Sequence, residues 1–299
     1  MVEESGGYLV SSAVRTMNPS DVPSAMELST VANWNQTPDD WYRIMQLSAE
    51  GCRCIEDAGR VIATATLLPY GTHLAWIGMV LTRPENRRQG LARWLMDDAI
   101  ASAERWGIRT LKLDATDEGR PLYESLGFIV EQVVERWGRD GGGSAAAKRE
   151  AGSNQGCCYG APISDEMFSQ DAKAFGVTRR ELLEALSTSG RCITTENGYM
   201  ISRPGRTARH LGPCVAASEV EALQLIAAHL EDPMCSGEEH EASKSSGWYW
   251  DLLPVNVEAV RCAARFGFTR RRALWRMCRG EAIEKNDAMV YAIAGFELG

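Results

Sequence analysis

The sequence predicts an α/β fold with a mixed sheet, built twice along the chain. Three observations carry that reading. β-Branched runs bounded by turn residues recur in both halves, a long segment with fourfold apolar spacing follows them in the first half, and a short helical stretch ending in Gly-Phe precedes a strand in each. The length of 299 residues also suits two domains of roughly 150 residues, each able to bury its own core.

Residues 52–71 read as two strands joined by a turn at Asp57 to Gly59, because Val61, Ile62, Thr64 and Thr66 favour a pleated surface. LAWIGMVLT, 74–82, is a third and buried strand, and Pro84 breaks the pattern. From Gly90 to Gly107 the spacing of Leu91, Leu95 and Ala99, flanked by Ala92, Met96 and Ala103, predicts an amphipathic helix. A strand at 108–116, a short helix at 121–127 closed by Gly127, and a strand at 128–138 complete the half. In the second half, 198–205 and 210–218 are strands, 218–230 a helix, 248–254 a strand, and 255–268 a short helix ending at Gly267-Phe268, which matches Gly127-Phe128.

The segment 140–156, DGGGSAAAKREAGSNQG, has no aromatic or β-branched residue, so we expect domains at 1–139 and 157–299 joined by this linker. A long exposed loop is expected at 235–247, which shows no periodicity. With 44% apolar and 24% charged residues and nine Trp, the chain is folded and not disordered. A net charge of −8 speaks against a dedicated nucleic-acid binder. Nine cysteines without a CxxC fit neither a disulfide framework nor a zinc site, and no metal is expected. The first residues lack a signal-peptide pattern, and no apolar run nears the roughly 18 residues of a membrane span, so a soluble cytoplasmic protein without a membrane partner is expected.

ENRRQGLA lies between a buried strand and the first turn of the long helix, where free backbone N–H groups and the positive end of the helix dipole converge. Such a junction suits an anion. Gly90 lets an oxygen approach the backbone, small Ala92 keeps the turn close to the sheet, and Arg87 and Arg88 add charge, which together fit a pyrophosphate. A solvated arginine pair with Gly90 as a plain turn residue is the other reading.

Arg87-Arg88-Gln89-Gly90-Leu91-Ala92, with VLTRPEN before it and LYESLGF after it, resembles the signature of the GNAT superfamily of acyl-CoA-dependent N-acetyltransferases. The patterns AWIGMVLTRPENRRQG, LDATDEGRPLYESLGF and YAIAGFELG resemble a tandem branch with a catalytic first half and a degenerate second half, over essentially the whole chain. The resemblance implies two GNAT-like domains, each a mixed, mostly antiparallel sheet flanked by helices. It implies acetyl-CoA as donor and CoA as product, with Val80, Leu81 and Thr82 pairing with the pantetheine arm and residues 87 to 92 holding the diphosphate. Met79 or Val80 would offer an N–H to the thioester carbonyl as charge develops there. Tyr123 is implied as the acid for the leaving thiolate, the alternative being a ring that only packs on the sheet. Thr116 stands where the family commonly has Asn, and its hydroxyl would replace that amide as a cofactor contact.

The general base stays open among Asp114, Asp117 and His73. The acceptor is expected to be a primary amine, small-molecule in kind, that attacks directly in a ternary complex. Trp34, Asn35, Trp41 and Asp114 are candidates for its site, with Trp248 and Trp250 as a wall; the tryptophans read equally well as core. A protein amine as acceptor, and a non-catalytic acyl-CoA sensor or scaffold, are the alternatives, and a homodimer is left open. The second half should be silent. LGPCVAASEVEA lacks the loop, Glu219 and Glu221 would repel a pyrophosphate, and Ala263 replaces the Tyr although Asn256 falls at the family's Asn position. The run Arg270 to Arg272 reads as a solvated face or as a contact to an acidic acceptor.

Overall fold

The computed structural model describes residues 13–141, 157–231 and 247–299. The expected linker beyond Gly141, and residues 235–246 of the expected loop, lie outside the described residues. The first half runs β1 (Val14–Thr16), α1 (Val22–Val31), α2 (Pro38–Leu47), β2 (Cys52–Asp57), β3 (Arg60–Tyr70), β4 (Leu74–Thr82), α3 (Leu91–Arg105), β5 (Thr110–Ala115), α4 (Arg120–Ser125) and β6 (Ile129–Arg139). The β2–β3 turn places Ala58 and Gly59 at positive φ, the conformation that a tight hairpin demands. A capping box opens α2: Asp40 accepts from the Thr37 backbone N–H at 2.8 Å, and Thr37 Oγ1 accepts from Asp40 N–H at 3.4 Å.

The second half runs β7 (Cys158–Tyr159), α5 (Asp165–Phe175), α6 (Arg180–Ser189), β8 (Arg191–Thr194), β9 (Gly198–Arg203), β10 (Arg209–Ala216), α7 (Glu219–Glu231), β11 (Trp248–Leu252), α8 (Val257–Arg265), β12 (Thr269–Gly280) and β13 (Val290–Ala292). Its order repeats that of the first half. The two halves nevertheless share one sheet, ordered β1-β2-β3-β4-β5-β12-β6-β11-β10-β9-β8-β7, with β13 paired to β10. Each half passes its last long strand to the other. β12 pairs antiparallel with β5 and β6, and β6 pairs antiparallel with β12 and β11.

Two equivalent ion pairs bolt this exchange. Asp114 on β5 takes Nε and Nη2 of Arg276 on β12 at 2.9 Å each, and Asp251 on β11 takes the same edge of Arg136 on β6 at 2.7 and 2.6 Å. Both carboxylates are fully buried. Removing one member of such a pair leaves an uncompensated buried charge, which costs about 3–5 kcal/mol. Asp114 is thus a structural group, so the expectation that it binds the acceptor or acts as base is corrected: its two oxygens are committed to Arg276.

Alternation along β4 sends Leu74 and Trp76 to the face covered by α1, α2, α5 and α6, and Ala75 and Ile77 to the face covered by α3 and α4. A third core lies under α7 and α8. No helix of the described residues is long and apolar enough to cross a membrane, and those residues contain no group of three or more His, Cys, Asp or Glu that could hold a metal.

Candidate active site

β4 and β5 pair in parallel only from Leu74 to Trp76, and then separate. The cause is a bulge in β4, where Met79 and Val80 together face Ala65, between the pairs Thr66–Gly78 and Thr64–Leu81. Met79 takes φ +47°, and Thr64 Oγ1 donates to its carbonyl at 2.8 Å, which holds the irregular backbone. From Ile77 to Thr82 no strand of the described residues pairs with the β4 edge that faces β5. A cleft of about 600 Å³, open to solvent, lies between the strands, with Met79 and Val80 on one side and Leu113, Thr116 and Tyr123 on the other.

At the far end of β4 the chain turns into α3 through Arg88 at φ +62° and Gly90 at φ +81°. The first backbone bond within α3 runs from Trp94 N–H to Gly90 O, so the N–H groups of Leu91, Ala92 and Arg93 have no partner inside the helix. No acidic residue occupies the first turn. A Cβ on Gly90 would meet no protein atom within 4 Å, so the space before the helix is open. Arg87, Arg88 and Gln89 are exposed beside it. This segment fits an anionic group such as a diphosphate, held by backbone N–H groups and the helix dipole. Leu91 takes part only through its backbone, since its side chain is buried with Ile55, Ile62 and Leu95. Leu81 is likewise buried, and Thr82 Oγ1 is buried without a hydrogen-bond partner among the described residues.

Tyr123 sits on α4 with its ring edge-on to Phe128 at 6.2 Å. A Cβ on Gly119 would stand 3.0 Å from the Tyr123 ring, so glycine there lets the ring lie over the turn. Thr116 Oγ1 accepts from Gly119 N–H at 3.2 Å and closes that turn. The Tyr123 hydroxyl has no hydrogen-bond partner among the described residues, and burial pushes its pKa up to about 12.

The remaining wall comes from the second half and the α1–α2 turn: Arg272 and Leu274 of β12, Phe296 and Glu297 of the C-terminal tail, and Trp34 and Gln36. The tail is pinned at three places. Tyr70 Oη donates to Leu298 O at 2.6 Å, Trp76 Nε1 to Phe296 O at 2.9 Å, and Arg203 Nη2 to Ala294 O at 2.7 Å. Gly78 permits this path, because a Cβ there would stand 2.7 Å from Glu297 O. The Glu297 carboxyl is buried, and that burial raises its pKa above the ordinary value against the pull of Arg203, 3.5 Å away.

Of the residues singled out from the sequence, Met79, Val80, Thr116, Tyr123, Trp34 and Asp114 reach the cleft. Asn35 is corrected to a clamp between the halves: its Nδ2 donates to Ala208 O at 2.8 Å, and its Oδ1 accepts from Thr207 N–H and Oγ1 and Ala208 N–H. Trp41 is wholly buried in the core under α2. Trp248 and Trp250 are buried under α7 and α8, where Trp250 donates to Tyr291 O at 2.8 Å, so neither walls the cleft. Asp117 accepts from Trp275 Nε1 at 2.7 Å, and His73 lies in the exposed turn at the opposite end of β4. Glu297, Gln36, Leu274 and Phe296 were not singled out; only the pattern YAIAGFELG marked the tail.

The second half has an equivalent splay between β10 and β11, which pair in parallel only from Arg209 to Leu211. Its own chain fills it. β13 pairs with β10 through Cys214–Ala292 and Val215–Val290, and Ile293 N–H donates to Asp251 O at 2.9 Å. Asn256 Nδ2 holds the plug by donating to Ala288 O and Val290 O at 3.0 Å each. The α7 N-terminus carries Glu219 and Glu221, and Glu221 Oε1 accepts from Asn197 N–H.

Two family models match: the acetyltransferase (GNAT) family at residues 22–128 and an acetyltransferase (GNAT) domain at residues 167–292. The chain is 29% identical over 187 residues to the uncharacterized N-acetyltransferase YitH of Bacillus subtilis, a stretch covering 59% of this chain and 64% of that one. It spans 48% to 64% of the length of the curated relatives it matches. In fold it resembles a putative acetyltransferase from Pyrococcus horikoshii, with TM-score 0.81 at 18% identity over 100% of this chain and 99% of that one. It also resembles a tandem GNAT protein from the clavulanic acid biosynthesis pathway, with TM-score 0.61 at 14% identity over 90% and 98%. The chain belongs to the GNAT acetyltransferase superfamily, as a protein of two tandem GNAT domains.

Proposed function

We propose that the chain transfers an acetyl group from acetyl-CoA to a primary amine of a small molecule, by direct attack within a ternary complex. The observation that carries this reading is one cleft lined by the splayed β4 edge, Tyr123 and Glu297, with the far end of β4 leading into a helix N-terminus open to an anion. Bound acetyl-CoA would supply a thioester activated for attack by an amine. The chain's own groups then divide the work. Residues 87 to 92 hold the diphosphate through backbone N–H groups and arginine charge. The unpaired β4 edge around Met79 and Val80 offers backbone N–H to an oxygen that gains negative charge, without reorganisation during the reaction. Glu297, with its raised pKa, takes the proton that the amine must lose. Tyr123, held neutral by burial, donates a hydrogen bond to the departing sulfur.

Among the described residues no cysteine or serine lines the cleft, which supports direct attack over a thiol- or serine-bound acyl intermediate. The second half adds Arg272, Leu274, Phe296 and Glu297 to the cleft wall, which favours a small acceptor over a peptide chain. The test is incubation of the protein with acetyl-CoA and a panel of primary amines while free thiol is followed, together with calorimetry of CoA binding. Amine-dependent thiol release with one CoA site per chain is expected. CoA binding without thiol release from any amine would leave a sensor or scaffold instead.

A further inference from the structure

Three buried arginines of this molecule each meet a buried carboxylate side-on, through Nε and Nη2 together. Arg136 holds Asp251, Arg276 holds Asp114, and Arg179 holds Asp171 at 2.9 Å through both nitrogens. A further arginine, Arg272, lines the active-site cleft from β12, and its Nε is shielded from solvent with no hydrogen-bond partner among the described residues. It forms no ion pair among the described residues; its guanidinium lies over the Phe296 ring at 5.1 Å. A bulge in β12 explains how it comes to face inward. Arg270 and Arg272 pair with consecutive residues of β6, Trp137 and Arg136, so the strand skips Arg271. Arg270 then meets Glu135 at 2.9 Å and Arg271 meets Asp140 at 3.2 Å, both on the outside.

The local charge balance points the same way. The cations gathered around this end of the cleft are Arg43, Arg136, Arg203 and Arg272, and the acids facing them are Asp40, Asp251 and Glu297. Asp40 is held by Arg43 at 2.6 Å and approached by Arg203 at 3.6 Å, Asp251 is held by Arg136, and Glu297 is approached by Arg203. Among the described residues one positive charge remains over, and Arg272 is the cation of this group without an ion-pair partner there. A partly buried cation left uncompensated is costly, and a bound anion removes that cost. Gln36 and Glu297 line the same cleft; Gln36 Oε1 is buried without a hydrogen-bond partner among the described residues, and both side chains carry oxygens able to accept N–H bonds.

We propose that the acceptor is an amine that also carries a carboxylate, an amino acid or close derivative, whose carboxylate is bound side-on by Arg272 while its ammonium meets Gln36 and Glu297. This rests on the acetyl-transfer reading for the reaction, and not for the anion site itself. Trp34, Leu113, Leu274 and Phe296 give the cleft apolar walls that suit an uncharged side chain.

The experiment uses the full chain and matched triads of amino acid, amino acid amide and decarboxylated amine, with small, aliphatic and aromatic side chains. Thiol release is measured for each, and binding of each to the protein with CoA present is measured by calorimetry. The expected result is a preference of about 10- to 100-fold for the carboxylate member, the range of a charge-assisted hydrogen bond. Arg272→Gln should raise KM for that member by a similar factor, leave kcat within a few-fold, and erase the preference. Arg272→Lys, which keeps the charge without the planar edge, should restore part of it. Thiol release without discrimination between an amino acid and its amide overturns the anion site and leaves acetyl transfer standing. Calorimetric binding that needs both the carboxylate and Arg272, with no thiol release, supports the anion site and overturns acetyl transfer. Should Arg272→Gln not fold, the wild-type preference within each triad decides alone.

Discussion

Tyr123→Phe tests the leaving-group side of the reaction, and the structure sets how large its effect can be. The hydroxyl makes no hydrogen bond with the described residues, and the ring keeps its contacts with Phe128 and Gly119, so folding stability should hardly change. With its pKa pushed up to about 12, the phenol is protonated throughout the neutral range. Full proton transfer to a thiolate, whose conjugate acid ordinarily has a pKa of about 8.5, is uphill by about 3.5 units, or about 5 kcal/mol. A hydrogen bond to the developing thiolate carries no such penalty and is worth about 1.5–3 kcal/mol. We therefore expect kcat to fall about 10- to 150-fold, short of the 10,000-fold upper range of a complete general acid. The assay is thiol release at saturating acetyl-CoA, with CoA affinity by calorimetry and thermal unfolding as controls, both of which should be unaltered. An unchanged kcat would show that the hydroxyl has no part in the reaction, and a loss near 10,000-fold would show that proton transfer and not hydrogen bonding is its contribution.

Gly90→Asp should abolish CoA binding in calorimetry, because it sets a side chain and a negative charge before the open N-terminus of α3; retained affinity would move the diphosphate elsewhere. Glu297→Gln should lower kcat/KM by about 100- to 10,000-fold. The base works only when deprotonated, so the wild-type rate should rise with pH through a value above the ordinary 4.5, and that limb should vanish in the variant's pH profile. Asp114→Asn should cost about 3–5 kcal/mol in denaturant unfolding, as a broken buried ion pair does; a fully stable but inactive variant would return Asp114 to the list of bases. Burial holds His210 and His229 neutral, with pKa values near about 3. The unfolded chain gains these protons below about 6.5, so stability should fall by about 1.4 kcal/mol per pH unit for each histidine as pH drops from there toward 3, and denaturant midpoints independent of pH would contradict this.

Much of the architecture was legible because it is local. The fourfold spacing from Leu91 to Ala99, the turn at Asp57 to Gly59 and the two Gly-Phe endings each report on a few adjacent residues, and α3, the β2–β3 hairpin and the short helices α4 and α8 formed there. The strand exchange was not legible, since the apolar patterns of β6 and β12 satisfy pairing within one half as well as pairing across. A trace of it was present: Asp114 and Asp251 occupy equivalent strands of the repeat, as do Arg136 and Arg276, and buried carboxylates need partners. Trp248 and Trp250 stand two apart on a strand and therefore share a face, but sequence does not say which element covers it. Trp34 and Trp41 looked alike in composition. One ended half-buried in a turn that borders the cleft, and the other one turn inside α2, where a helix buries its apolar stripe.

The exchange also explains why a half without the ENRRQGLA segment remains joined to one that has it. The groove between β10 and β11 is filled by β13, held by Asn256 at the position where the resemblance places a cofactor contact, so the residue persists in a structural role. That same C-terminal segment then crosses Gly78 on β4 and delivers Phe296 and Glu297 to the other groove. β12 meanwhile supplies Arg272 and Leu274, and its Arg276 binds Asp114. The expectation that the second half shapes the cleft therefore acquires different residues from those first named, and a stronger form. Without β12, β5 and β6 are edge strands with no partner between them, and Asp114 is a buried carboxylate with no counter-charge. The second half is as much a part of the first half's sheet as β5 is: with its own groove filled by β13, its β12 and C-terminal tail build the wall of the other.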